Sequence, residues 1–176
     1  AKDEVGELSR AFNRMTVEIR KEDWIKTGLM ELNEKMRGEQ NISSLLQKII
    51  RYISHYAGAD IGVIFLHENG RLKLRSSYAY HARKGAITEF KPGEGIVGQA
   101  ALEQTSFTLT DVPNDYIAVR SGLGEATPKN IHVMPLMYEQ ETLGVIELAS
   151  IKPFQDKQLQ FIEQTAKTIA VTINSV

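Results

Sequence analysis

The chain contains no cysteine. That removes disulfides, thiolate metal sites, thioether-linked tetrapyrroles and cysteine nucleophiles together, and it fits a reducing compartment. An excess of either charge is missing as well. Twenty-one basic residues are mixed with 22 acidic ones, for a net charge of −1, so the electrostatic footprint of a nucleic-acid binder is absent. No polybasic run offers a surface to anionic lipid. No apolar run approaches the roughly 20 residues that span a bilayer, and no secretory signal opens the chain. No Ser-His-Asp, paired-carboxylate or phosphate-loop pattern occurs, so catalysis is not expected. His55, His67, His81 and His132 lack ligand-like spacing, and no metal is expected.

What is present is a core and two kinds of periodicity. A length of 176 residues with 42% hydrophobic content suits one ordinary domain and an appendage. Near the start, Leu8, Phe12, Met15 and Ile19 are spaced 4, 3, 4, which is a coiled-coil seam. Continued strictly, that frame reaches Glu22, Lys26, Leu29, Asn33 and Met36, and three of those five are polar. A second frame, Ile25, Leu29, Leu32 and Met36, is apolar throughout. The frames part between Ile19 and Ile25, where the spacing is six, a break in heptad phase. Two readings stay open: a stalk with an imperfect seam, or two registers that compete and that a signal biases. Gly38 interrupts this helix, and Asn41 is placed to cap the next.

From there the pattern becomes globular. Ile42, Leu45, Leu46, Ile49, Ile50, Ile53 and Tyr56 put an apolar stripe on one helix face, and Gly58 supplies a stop. Residues 61–66 read as a buried strand, Asn69-Gly70 as a two-residue hairpin turn, and the stretch from Leu72 toward Tyr80 as the returning strand. A short strand near 87–90 meets Pro92-Gly93-Glu94-Gly95, then a short helix from Ile96 to about Gln104 and a brief strand at 107–110. Residues 111–130 show no period and read as a packed functional loop. A last hairpin, 131–138 and 142–151, turns at Glu139-Gln140-Glu141. The closing helix carries Leu159, Ile162, Ala166, Ile169 and Ile173, a second coiled-coil seam. The order helix, hairpin, insert, hairpin, helix predicts an α+β domain with an antiparallel sheet.

Three motifs have competing interpretations. Gly93-x-Gly95-x-x-Gly98 matches the dinucleotide fingerprint in form, with Asp115 near its expected acidic position. Tight hairpins flank it where parallel βαβ units are required, so a sharp turn into a short helix is the better account. Free amides near Gly95 to Val97 could still hold an anionic group. His132 alternates with Met134 and Leu136 and is expected to point inward. Glu147 shares a face with Val145 and Ala149, and either emerges at a sheet edge or projects into a pocket.

Two resemblances emerge. Asp3-Glu4-Val5-Gly6 followed by Phe12-Asn13-Arg14-Met15 resembles the second helix of a HAMP domain, the relay below membrane-spanning sensors. The first HAMP helix is not in the sequence, so Ala1 is expected to be a cut within a larger membrane-anchored signalling protein. Pro92-Gly93-Glu94-Gly95-Ile96-Val97-Gly98-Gln99-Ala100-Ala101 is similar to the turn and helix common in GAF domains. Leu143 to Ser150 is similar to the strand near their C-terminus, and Asp111-Val112-Pro113 to a frequent turn. The runs Trp24 to Leu29 and Arg37 to Gln40, with Tyr116 and Ser121 to Ala126, resemble the HAMP–helix–GAF segment of multi-sensor hybrid histidine kinases.

That resemblance implies boundaries: 1–19 from HAMP, 20–40 a coiled-coil signalling helix, 41–176 a GAF domain ending in an output helix. It implies an antiparallel sheet of five or six strands with helices on both faces. It further implies a parallel homodimer on the cytoplasmic side of a bacterial inner membrane, relaying to kinase modules in the same parent chain. The dimer seam would use Leu8, Phe12, Met15, Ile19, Ile25, Leu29, Leu32, Met36, Leu159, Ile162, Ala166, Ile169 and Ile173. Ligand-contact candidates are Tyr80, Phe90, Thr110, Asp111, Tyr116, Arg120, His132 and Glu147. Arg120, Asp115 and Tyr116 would clamp a charged ligand or form a solvated loop. The Asn-Lys-Phe-Asp-Glu set of cyclic-nucleotide GAF domains is missing, and cysteine-dependent sulfoxide reduction and bilin attachment are excluded. The cofactor is therefore unknown, with no covalent tetrapyrrole expected. The alternative function is a ligand-free coupler, which a cavity plugged by Met134, Met137 or Phe107 would favour.

Overall fold

The computed structural model describes residues 2–80, 87–112 and 128–176, together with the backbone of 119–121 and 124–126. It begins with α1, Lys2–Met36, one helix of 35 residues and so roughly 50 Å long. Asp3 and Glu4 in its first turn and Lys35 in its last complement the helix dipole. Gly38, at φ +73°, ends the run. Asn41 then caps α2, Ile42–Tyr56, its side chain accepting from the Ser44 N–H at 2.9 Å. Glu39 staples this corner. Its carboxylate accepts from the Asn41 N–H (3.1 Å), the Ser44 hydroxyl (2.9 Å) and Lys48 Nζ (2.7 Å).

The strands β1, Ile61–Glu68, and β2, Arg71–Tyr78, are joined at Asn69-Gly70. Both turn residues have positive φ, 51° and 75°, as a type I′ turn requires. There follow β3 (Glu89–Phe90), α3 (Gly95–Glu103), β4 (Phe107–Leu109), β5 (Val119–Ser121), β6 (Gly124–Ala126), β7 (Asn130–Tyr138), β8 (Glu141–Ser150) and α4 (Asp156–Ser175). Six strands form one antiparallel sheet in the order β3-β2-β1-β8-β7-β4, while β5 and β6 pair as a separate ribbon. The expected α+β architecture is the one observed. The second hairpin is tighter than the sequence suggests: Glu141 already pairs with Tyr138. Glu139 and Gln140 alone make the turn, at φ 47° and 71°. Among the described residues no helix is long and apolar enough to cross a membrane.

The sheet buries both faces. On one, Ile64 and Leu66 of β1, Met134 and Leu136 of β7, and Ile146 and Leu148 of β8 meet α2, α4 and the end of α1. On the other, Val63, Phe65, Val133, Val145 and Ala149 meet Val97, Ala100 and Ala101 of α3. Strand alternation sorts these sets, and helices cover both sides. Helix α2 lies so close to β1 that a Cβ at Gly62 would come within 2.1 Å of the Ser54 hydroxyl.

Only the last third of α1 joins this packing. Ile25, Gly28, Leu32 and Met36 are buried. Trp24 stacks on Tyr56 at 4.5 Å and meets Phe161 edge-on at 5.7 Å. The Tyr56 hydroxyl donates to the Trp24 carbonyl (2.5 Å) and the Tyr52 hydroxyl to Glu31 (2.6 Å). Gly28 permits the contact, since a Cβ there would sit 2.4 Å from the Tyr56 ring and 2.6 Å from that of Phe161. Lys157, at the start of α4, lies over the Trp24 ring. Thr172, Ser175 and Val176, at its end, border the same groove as Asn33 and Met36. The two helices therefore run parallel. Before Trp24 none of the described residues covers the helix, and Leu8 and Phe12 are 73% and 63% exposed.

This divides the residues expected at a two-chain seam. Leu8, Phe12, Met15 and Ile19 are exposed. Ile25, Leu32, Met36, Ile162 and Ile169 are instead core of this one chain, with Leu29, Ala166 and Ile173 packed against it and Leu159 half-buried. Burial on α4 runs Phe161, Ile162, Thr165, Ile169, Ala170. That is the wide stripe of a helix lying on a core, so intramolecular packing accounts for the spacing.

Candidate functional site

On the α3 side of the sheet lies a cavity of about 300 Å3. The alternation of β1 sends Val63 and Phe65 into it, β2 contributes Leu74, and Tyr80 and Ile87 follow beyond β2. Phe90 on β3 closes one wall, edge-on to Phe65 at 5.5 Å. The opening of α3 supplies Gly95, Ile96 and Val97. None of Met134, Met137 and Phe107 is among the lining residues. Met134 packs in the helix-side core and Phe107 against the core under α3.

Among the described lining residues the charged one is Glu147. Its strand β8 lies between β1 and β7, where it pairs with Val63 and Val133, and the residue is 5% exposed. The sheet-edge interpretation is thereby removed, and the carboxylate projects into the cavity. Beside it, burial first and the charge of Glu147 second hold the Tyr80 phenol above its usual range. Tyr80 therefore keeps its proton, and remains a hydrogen-bond donor, at neutral pH.

The glycines next to the cavity are architectural. Gly93 and Gly95 have φ of +88° and +63°, and the Gly93 N–H donates to the Gly98 carbonyl at 2.7 Å. A Cβ on Gly98 would lie 2.3 Å from the Lys91 carbonyl oxygen. The fingerprint match is a tight turn against an antiparallel sheet, without the βαβ unit that dinucleotide binding uses.

Of the eight ligand-contact candidates, Tyr80, Phe90 and Glu147 line the cavity. Thr110 and Asp111 are exposed beyond the end of β4, Asp111 at φ 55°. Arg120 lies on β5, described by its backbone, and Tyr116 lies outside the described residues, as do Asp115 and His81. His132 is on the other face. It points at α4, 4% exposed, with Nε2 2.6 Å from Glu163 and Nδ1 2.8 Å from the Thr108 hydroxyl. Burial pushes the Glu163 carboxyl up, but hydrogen bonds from His132 and Ser106 outweigh it and the net shift is downward. The ionised Glu163 accepts from Nε2–H, so this histidine ties β7 to the last helix instead of facing a ligand.

Among the described residues, three larger hollows, of about 800, 780 and 670 Å3, run along α1. They are open furrows in which some of the charged side chains already pair, Arg37 with Glu34 and Lys48 with Glu39. The smaller cavity is the better candidate, because it combines concave apolar walls with few polar groups.

The family model for the GAF domain matches residues 39–174. Among solved structures, the GAF domain of a phosphoenolpyruvate-protein phosphotransferase from Coxiella burnetii has a TM-score of 0.71 at 19% identity. The match covers 86% of this chain and 93% of that one. The A. aeolicus nlh2 GAF domain, in an inactive state, gives 0.69 at 22%, covering 88% and 98%. The free methionine-R-sulfoxide reductase from Neisseria meningitidis, in complex with its substrate, gives 0.69 at 19%, covering 86% and 89%. At such identities the likeness is one of fold. Among curated proteins none matches.

Proposed function

The chain belongs to the GAF domain family, a small-molecule-binding signalling fold, and from that premise we propose that it is a sensory relay. In this reading it is the cytoplasmic sensor module of a membrane-bound two-component kinase. It binds a small molecule and passes the change to a kinase module in the same parent chain, without catalysis of its own. The observation that carries the ligand-binding half is the cavity of about 300 Å3, with Glu147 and Tyr80 converging on apolar walls.

The relay half rests on the helix layer. α1 enters at Trp24 and runs beside α4 in the same direction, so a shift of one is felt by the other through Gly28, Tyr56 and Phe161. Residues 1–19 act as the second HAMP helix, and Leu8, Phe12, Met15 and Ile19 pair with a second copy in a parallel dimer. A ligand shifts such a device only by binding its two arrangements unequally. The tight docking of α1 also supports a second reading, a ligand-free coupler that dimerises and transmits.

Native mass spectrometry of the purified chain, compared with the denatured sample, separates the two. The sensor reading expects an added mass of a small molecule that denaturation removes. A native mass equal to the bare chain, unchanged by incubation with cell metabolite extract, contradicts it and leaves the coupler.

A further inference from the structure

We propose that Glu22 and Lys26 set the register of a two-chain seam along α1, the carboxylate of each copy pairing with the partner's Lys26. This rests on the reading of Leu8, Phe12, Met15 and Ile19 as a dimer stripe and names what fixes its alignment. Those four residues are exposed and span less than two heptads, against the roughly three or four of a sustained coiled coil. A stripe this short holds two helices weakly, so the layers that follow it decide how the copies align.

The frame of the stripe continues through Glu22 and Lys26. The helix runs on without interruption, and both residues are exposed. Neither makes an ion pair within the chain. They stand four residues apart, about 6 Å along the axis, and so share one face. Across a two-fold axis every contact occurs twice, so Glu22 meets the partner's Lys26 and Lys26 meets the partner's Glu22. The face is complementary to itself. Glu18 and Asp23 add negative charge at this level, which strengthens the call for a lysine from the second copy. A slip of one heptad sets Glu22 against Met15 and Lys26 against Ile19, leaving charges on apolar surface without partners. Matching the same charges in an antiparallel pair sets Met15 beside Asn33 and Phe12 beside Met36, which is already buried in its own domain. The apolar stripe therefore selects the parallel pair, and the charged layers select its register, the role that polar positions serve in coiled coils.

Sedimentation velocity over a concentration series, with charge swaps, tests this. Glu22→Lys and Lys26→Glu each set like charges face to face, and each is expected to weaken self-association about tenfold or more. An equal mixture of the two variant chains is expected to restore it, because each then meets opposite charge across the seam. A pair confined to one helix gives no such rescue. The chain has no cysteine of its own. Met15→Cys alone is therefore expected to give a disulfide-linked dimer on mild oxidation, as a parallel pair in register requires. Single variants that associate like the wild type, or a mixture that stays apart, overturn the charge pairing and leave the dimer reading in place. Association without the Met15→Cys crosslink overturns the parallel register. A wild-type chain that stays monomeric at every concentration overturns the proposal and the dimer reading together. Both swapped positions are exposed, so the fold is expected to survive, and the crosslink reports on register independently of the swaps.

Discussion

Residues 2–23 and residues 24–36 belong to one uninterrupted helix, yet they meet different surroundings. Both stretches carry apolar residues at coiled-coil spacing. In the first, Leu8, Phe12, Met15 and Ile19 stand in the open, and in the second Ile25, Leu32 and Met36 are core. The six-residue step from Ile19 to Ile25 is one short of a heptad, which turns the stripe by about 100° around the axis. The turn falls where the helix reaches the domain, next to Trp24. A phase break therefore aims one stripe at the chain's own sheet and helices and leaves the other exposed, where the proposed dimer would use it. Both can be covered at once, so competition between registers is not required to explain the sequence.

The largest effect should come from spoiling the docked half. Gly28→Val drives side-chain atoms into the Tyr56 and Phe161 rings. A loss of about 2–3 kcal/mol, the upper range for overpacking, is expected in urea denaturation, with weakened Trp24–Tyr56 stacking visible in near-ultraviolet circular dichroism. Next, Tyr56→Phe deletes the hydroxyl that serves the Trp24 carbonyl at 2.5 Å and should cost about 1 kcal/mol. Phe12→Glu acts on the free half. It should leave monomer stability within about 0.5 kcal/mol while lowering self-association in sedimentation velocity. Equal destabilisation by Phe12→Glu and Gly28→Val would erase the contrast between the halves.

The smallest effect concerns pH at the corner after α1. Hydrogen bonds from Lys48, Asn41 and Ser44 lower the Glu39 carboxyl from 4.5 to about 2. A depressed folded value means stabilisation that is present above 4.5 and is lost as pH falls toward 2. Glu39 is half-buried but its partner Lys48 is exposed, so salt should weaken the effect. Glu39→Gln is expected to flatten the acid limb of stability between pH 4.5 and 2. An unchanged limb would mean that the corner does not hold the docked half.

Much of this architecture was legible from the sequence. Asn69-Gly70, the Asn41 cap and the antiparallel hairpins have local causes, and they appear where the sequence places them. The second hairpin is tighter than expected, because Glu139 and Gln140 accept positive φ without glycine. Of the site, three of eight contact candidates line the cavity. Alternation correctly grouped His132 with Met134 and Leu136, and Glu147 with Val145 and Ala149. It could not say which face lies under α3 and which under α4, because both faces are buried, and so His132 was assigned to the wrong layer. Val63, Phe65, Leu74 and Ile87 are not among the candidates, and at Gly95 to Val97 the sequence points to backbone amides and not to lining side chains. Period two on β1 pointed to the first pair, but the others reach the cavity only through tertiary packing. The role of Gly28 and Phe161 was equally hidden, since close approach depends on a partner helix far along the chain.

The account turns on the claim that one helix has a half held by its own domain and a half reserved for a second chain. Amide hydrogen exchange across a protein concentration series tests this directly. Residues 25–36 should be protected to the same degree at every concentration, in step with 157–170. Protection of residues 2–23 should be low in dilute solution and rise with concentration. Protection that rises together in both halves, or a docked half that exchanges as fast as the free one in dilute solution, would contradict it.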